Sequence, residues 1–296
     1  MQNLQSLYGE YTFHIVALGS ILLGMISGMI GCFAILKKES LLGDGISHAA
    51  LPGIALAFLM TGQKHTMILL LGASATGLLA ICIIRLITNY SCITFSNALA
   101  LVISVFFGMG ISLLTYCQKL PTANQAGLKR FIYGQASTLL KSDVILIGVA
   151  STIILLVIIL LWKEFKVVIF DRTFSNCLGF PPTVLHNILS LLIVITIIIG
   201  LQSVGVILMS AMLIAPGIGA RQWTNRLSLM IVLAAIFGGL SGLIGTTISS
   251  LFPNIPTGPS IVLALSSIAF ISLLFAPGRG ILFTLYQRHQ TKKELV

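Results

Sequence analysis

The sequence predicts an all-α, polytopic helical membrane protein, and three observations carry that prediction. Hydrophobic residues make up 57% of the 296-residue chain, and charged residues only 8%. The mean hydropathy of +1.06 lies far above the range of soluble domains. The apolar residues also fall in separate stretches near the ~20 residues that cross the hydrocarbon core of a bilayer.

Those stretches cover roughly 13–36, 42–61, 66–87, 97–117, 143–162, 184–201, 203–219, 227–250 and 260–276. They predict about nine transmembrane helices, with eight as the alternative count. Before the first stretch, Met1 to Tyr11 carries Glu10 and no Lys or Arg, so the charged region of a signal peptide is missing and the first helix is expected to be retained. The long connection from Gln118 to Ser142 mixes aromatic, basic and apolar residues over Leu128–Leu140, which predicts a helix lying in the membrane interface.

The run from His186 to Ala220 is too long for one crossing, since a single helix would reach roughly 52 Å at 1.5 Å per residue. Gly200, Gln202, Ser203 and Gly205 mark the expected break. The second half is interrupted by Gly205, Pro216, Gly217 and Gly219. Membrane helices tolerate such residues where neighbours or a water-lined cavity satisfy the freed backbone, so this helix is expected beside a pathway. The two final stretches lead to a short tail at about 280–296.

A formal charge of +10 does not point to nucleic acid, because the basic residues are scattered singly or in pairs between apolar stretches. With nine spans and the N-terminus outside, the inner side collects twelve of the 17: Lys37, Lys38, Arg85, Lys163, Lys166, Arg172, Arg221, Arg226, Arg279, Arg288, Lys292 and Lys293. That bias follows the positive-inside rule. Arg85, at the end of a span, is expected to snorkel toward the headgroups. The five cysteines show no metal-binding spacing and read as small packing residues. No phosphate-binding G-x-x-x-x-G-K-[ST] run occurs, so any use of ATP falls to another subunit.

Among the seven acidic residues, Asp44 alone belongs to the body of an apolar stretch, while the others occupy tails, loops or segment ends. A charge there costs about 2.5–3.5 kcal/mol and by default marks function. His48 follows four residues later, so on a helix the carboxylate and the imidazole share one face. Two readings stand side by side: the pair is part of a metal site, or Asp44 caps the helix while His48 bonds within the bundle. One chain offers two donors where a divalent cation wants at least four, so a twofold axis would complete the set. Oxygen and nitrogen donors suit Mn, Fe(II) or Zn. Alongside runs a stripe of small residues, Gly45, Ala49 and Gly53, that lets another helix pack closely and offers a way for two such halves to meet.

The stretch Leu42-Gly-Asp-Gly-Ile-Ser-His-Ala-Ala-Leu-Pro-Gly-Ile-Ala-Leu-Ala57 resembles the second-helix signature of the zinc, manganese and iron permease subunits of bacterial ABC importers. The likeness continues in Phe170-Asp-Arg-Thr-Phe-Ser-Asn-Cys-Leu-Gly-Phe180, similar to their cytoplasmic coupling loop. It extends through Gln202–Ala220 and Ile255–Leu263, in the family's order. The resemblance implies one transmembrane permease domain over 1–296, with the coupling loop at about 163–182. It implies that Asp44 and His48 coordinate the passing cation, and that Phe170, Asp171, Phe174, Ser175, Leu178 and Gly179 belong to the segment that docks on an ATPase.

What the resemblance implies for the assembly follows from there. The partners are a second copy of the chain, cytoplasmic ABC ATPase subunits, an extracytoplasmic metal-binding protein and membrane lipid. No cofactor is permanently bound; Mn, Zn or Fe is the cargo, with manganese favoured by the form of the signature, and ATP acts only through the partner. The chain itself is not an enzyme and lies in the bacterial cytoplasmic membrane, with its N-terminus outside and its C-terminus inside. The alternative is a proton-coupled secondary metal transporter that uses Asp44 and His48 as a proton relay.

Overall fold

The computed structural model describes residues 11–62, 65–119, 134, 139–252, 255–277 and 279–283, with the side chain of Ile207 excepted. Eleven helices follow in order: α1 (Tyr11–Leu36), α2 (Leu42–Thr61), α3 (Thr66–Tyr90), α4 (Phe95–Lys119), α5 (Lys141–Leu160), α6 (Trp162–Phe170), α7 (Arg172–Cys177), α8 (Pro182–Ser203), α9 (Val206–Trp223), α10 (Leu227–Leu251) and α11 (Thr257–Phe275). Nine of them stand at the nine predicted places, and eight are long and apolar enough to cross a membrane. The expected interfacial helix over 128–140 and most of the tail lie outside the described residues.

Lipid is as apolar as leucine, so helices in a bilayer associate through close packing rather than by escaping water. The sequence places small residues where that packing is tightest. Gly24 of α1 lies against the backbone of Gly238 of α10, and Gly28 and Gly242 continue the same crossing against Ala234 and Ser20. A Cβ on Gly24 or Gly238 would occupy the facing backbone itself. On its other side α1 receives α9, with Gly31 against the backbone of Leu213.

The helices divide into an inner and an outer set. In α1 and α2, 72% of the most apolar window is buried inside the protein, against 22% in α5. The outer faces of α4 and α5 present Leu101, Val105, Ile145, Val149, Ile153 and Leu156 as they would to lipid. One continuous core of Leu23, Ile30, Phe33, Ile46, Ile54, Ile193, Ile197 and Leu213 joins the inner helices.

The predicted break between α8 and α9 falls at Val204–Gly205. Gly205 has φ 88°, the left-handed region where a Cβ is disfavoured, so glycine lets the chain stop one helix and start the next within two residues. Pro216 is accommodated inside α9, which packs between α1, α2, α10 and α11. Leu213 of this helix also reaches Gly43, the neighbour of Asp44. The interrupted helix thus backs onto the start of α2.

A turn at Leu161 follows α5 and leads into two short helices. On α6, Phe165 and Val168 are buried, and the Phe165 ring lies 5.9 Å from that of Phe33 near the end of α1. Asp171 caps α7 by accepting a hydrogen bond from the Phe174 N–H at 2.9 Å. Its Gly179 end is closed by the Gly179 N–H and Phe180 N–H donating to Asn176 O and Ser175 O.

Candidate metal gate

Asp44 and His48 occupy the first and second turns of α2. The helix is capped at Leu41 with no side-chain cap bond, so Asp44 is one of its body residues rather than its cap. Its place in the first turn sets the carboxylate near the positive end of the helix dipole, an effect of about 0.3–1 kcal/mol at exposed sites. One turn later, His48 Nε2 lies 3.5 Å from Asp44 Oδ1. This is longer than a good hydrogen bond of about 2.7–3.2 Å. The two atoms converge on one point without satisfying each other.

Both side chains keep contact with their surroundings, at 40% exposure for Asp44 and 19% for His48. The His48 ring meets Phe107 of α4 edge to face, with centroids 4.6 Å apart and planes at 75°. Its Nδ1 is buried and has no hydrogen-bond partner among the described residues. The aromatic contact fixes the plane of the ring, and Nε2 is left to face the carboxylate. Among the described residues no group of three or more His, Cys, Asp or Glu comes together, so among them the donor set stops at two.

The small-residue stripe beside the pair is filled from within the same chain. Gly45 faces Leu99 and Ile103 of α4, Gly53 faces Gly72 and Thr76 of α3, and Ala49 is fully buried in a cluster with Ala80, Ile84, Ala98, Leu99, Val102 and Phe106. Within the chain the stripe is taken up by α3 and α4. Gly45, Ala49 and Gly53 hold α2 against its own neighbours, and the edge bearing Asp44 and His48 stays open.

The coupling residues lie apart from the pair, on α6, α7 and the turn after it. Phe170, Phe174 and Leu178 are exposed although apolar, whereas Ser175 is fully buried and its Oγ has no hydrogen-bond partner among the described residues. Gly179 takes φ 80° with open space around its Cα. A short capped helix bearing Phe174 and flanked by the exposed Phe170 and Leu178 is suited to contact with another protein.

Sequence reasoning missed a charge cluster at the α1–α2 connection. Lys37 Nζ lies 2.7 Å from Glu39 Oε2, with both side chains largely buried. Burial pushes the Lys37 ammonium below its ordinary value, and the Glu39 carboxylate opposes that shift. Arg85 does not snorkel as expected. Its Nη2 donates to the His186 carbonyl at 3.1 Å and to Ser190 Oγ at 2.7 Å, tying α3 to α8. The available signal was that Arg85 is the one charged residue in Thr66–Tyr90, the criterion that singled out Asp44.

A bundle of apolar helices with a carboxylate–imidazole pair on an inner helix, and a short apolar-tipped helix outside it, defines a membrane transport permease. The family model described as ABC 3 transport family matches residues 10–276, and the chain belongs to that family. In this family ATP hydrolysis is carried out by a separate subunit, and the chain is a permease rather than an enzyme. It is 47% identical over 290 residues to the zinc transport system membrane protein TroC of Treponema pallidum, covering 98% of this chain and 97% of that one. The manganese transport system membrane protein MntC of Bacillus subtilis is also 47% identical, over 90% of this chain and 61% of the other. Among solved structures, PsaBC from Streptococcus pneumoniae in complex with Fab superposes with a TM-score of 0.84 at 32% identity, covering 96% of this chain and 99% of that chain.

Proposed function

We propose that the chain forms the path of an importer that carries a divalent transition-metal ion into the cytoplasm, with manganese the favoured cargo and zinc or iron the alternatives. The observation that carries this reading is the Asp44–His48 pair, one turn apart on an inner helix with its donor atoms 3.5 Å apart. Metal–donor bonds of about 2.0–2.2 Å spanning that separation enclose an angle of about 110°, close to tetrahedral. Relatives named for zinc and for manganese support a divalent cation, and oxygen with nitrogen donors serves either.

A second copy of the chain supplies the matching pair, so that two carboxylates and two imidazoles surround the ion. Partial exposure of the pair leaves that edge available to the second copy. An incomplete set in each chain also suits transport, since an ion held too tightly cannot leave. ATPase subunits dock on α7 through Phe170, Phe174 and Leu178, with Ser175 and Gly179 shaping the helix and its exit. An extracytoplasmic binding protein delivers the ion at the far mouth. The N-terminus lies outside and the C-terminus in the cytoplasm.

Uptake of radioactive manganese and zinc by vesicles containing the full transporter tests this directly. Asp44→Ala and His48→Ala are each expected to lower uptake at least about tenfold, the scale set by disturbing a metal's surroundings. Unchanged uptake in both variants would sink the assignment. Uptake driven by a proton gradient alone, with the ATPase omitted, would instead establish the proton-coupled transporter.

A further inference from the structure

Arg85 and His186 lie where α3 packs on α8, beside Lys37 and Glu39 of the α1–α2 connection and Arg172 of α7, and the gate described above does not use these residues. The geometry of this layer is specific. Arg85 donates from one nitrogen to the His186 carbonyl and to Ser190 Oγ, and Ser190 Oγ in turn donates to the same carbonyl at 3.0 Å. This closed triangle fastens α3 to the first turns of α8.

Glu39 links the layer to α2. Its side chain is paired with Lys37, while its backbone carbonyl accepts from the Leu42 N–H at 3.0 Å and so begins the helix that carries Asp44. The connection is tight, because Lys38 takes a left-handed φ of 61° and the Glu39 N–H returns to Ala34 O. A displacement of the Glu39 side chain is therefore felt at the first turn of α2, a few residues from the gate.

The electrostatics join these parts. The ion pair of Lys37 with Glu39 has Arg85 and Arg172 as its charged neighbours. Arg172 is the first residue of α7, the helix proposed to face the ATPase. Among the described residues, His186 Nδ1 of α8 and Ser175 Oγ of α7 are buried without hydrogen-bond partners. A layer fastened on one side and unsatisfied on the other is suited to a second arrangement, since buried polar groups gain from any shift that pairs them.

We propose that Arg85 is a positioning residue which, with Glu39, carries movement of α7 to the first turn of α2. This rests on the permease reading above and adds the route by which the ATPase side reaches the metal gate. Arginine suits the task because its guanidinium stays charged and holds its donors in a rigid plane, where lysine offers a point charge on a flexible stem.

The test uses the transporter assembled with its ATPase in lipid nanodiscs, in a cysteine-replaced background. Spin labels are placed at Leu41→Cys, the cap of α2, and, separately, at Asn176→Cys on α7, both exposed. Distances between equivalent labels on the two copies are measured with and without ATP. With Arg85 present, ATP is expected to shift both distances. In Arg85→Gln the α7 shift persists while the α2 shift falls to less than half. In vesicles, cation moved per ATP hydrolysed falls at least fivefold while hydrolysis stays within twofold. Arg85→Lys should give an intermediate ratio, and it decides the matter if Arg85→Gln does not assemble. An undiminished α2 shift in Arg85→Gln overturns the proposal alone, as does a proportional loss of hydrolysis and uptake. If ATP moves α7 in neither protein, the coupling role of α7 fails and this inference fails with it.

Discussion

The crossing of α1 with α10 and the open edge of α2 are both built around small residues, yet they are packed in opposite ways. At the crossing, glycine meets glycine, backbone lies on backbone, and neither side has room for a side chain. On α2 the small stripe is closed by α3 and α4 and the first turn by α9, while Asp44 and His48 stay partly exposed with donor atoms that do not complete each other. Small residues in the first case make a fixed seam. In the second they hold a functional face in place while leaving it free to act, which separates the scaffold from the working part of the bundle.

Enlarging the seam should break the molecule outright. Gly24→Leu or Gly238→Val sets new atoms on facing backbone, which cannot give way as a flexible side chain can. Overpacking of even adaptable cores costs about 1–3 kcal/mol. Monodisperse protein recovered after size-exclusion chromatography is expected to fall to a small fraction of normal, and normal recovery would show that the seam is less rigid than the contacts imply.

Outside both regions, Phe174→Glu combined with Leu178→Glu should leave the bundle folded, because both side chains are exposed. It should, however, remove the apolar tip of α7 and abolish co-purification of the ATPase. Retained co-purification would place the docking surface elsewhere.

A milder perturbation addresses the open edge. Cation binding through an imidazole lone pair releases or competes with protons, so uptake should slow as the medium is made acidic. The residual uptake of His48→Gln should lose most of that dependence. An equal pH response in the two proteins would assign it to another group.

The smallest effect is expected at Ser175. Its hydroxyl is fully buried and unpaired among the described residues, so Ser175→Ala removes an unsatisfied group and loses no hydrogen bond there. Thermal unfolding should shift upward or not at all, by no more than the equivalent of about 1–3 kcal/mol. A marked loss of stability would show that the hydroxyl makes a contact absent from this arrangement.

Much of this was readable because membrane helices report themselves locally. The stretch 42–61 coincides with Leu42–Thr61, and 227–250 with Leu227–Leu251 but for one residue, since spanning length and hydropathy depend on neighbours in sequence. The break near Gly205 was readable for the same reason, as a positive φ is paid for within one residue. Asp44 and His48 were found because four residues on a helix is one turn. What stayed hidden was the identity of each packing partner. The stripe of Gly45, Ala49 and Gly53 announces close approach, but nothing in it distinguishes α3 and α4 from a second copy. Arg85 reads as a terminal charge until α8, about a hundred residues later, supplies its acceptors.

By itself, then, the sequence determined the helical membrane class, the places of the long helices, the break before α9, and the carboxylate–imidazole pair, because each follows from local composition and the periodicity of the helix. Only the tertiary structure decided that α1 and α10 share a glycine seam, that the small stripe of α2 closes inward, and that Arg85 joins α3 to α8. Those depend on which surfaces meet in space, and hydrophobic periodicity, which says only that a face is apolar, does not encode its partner.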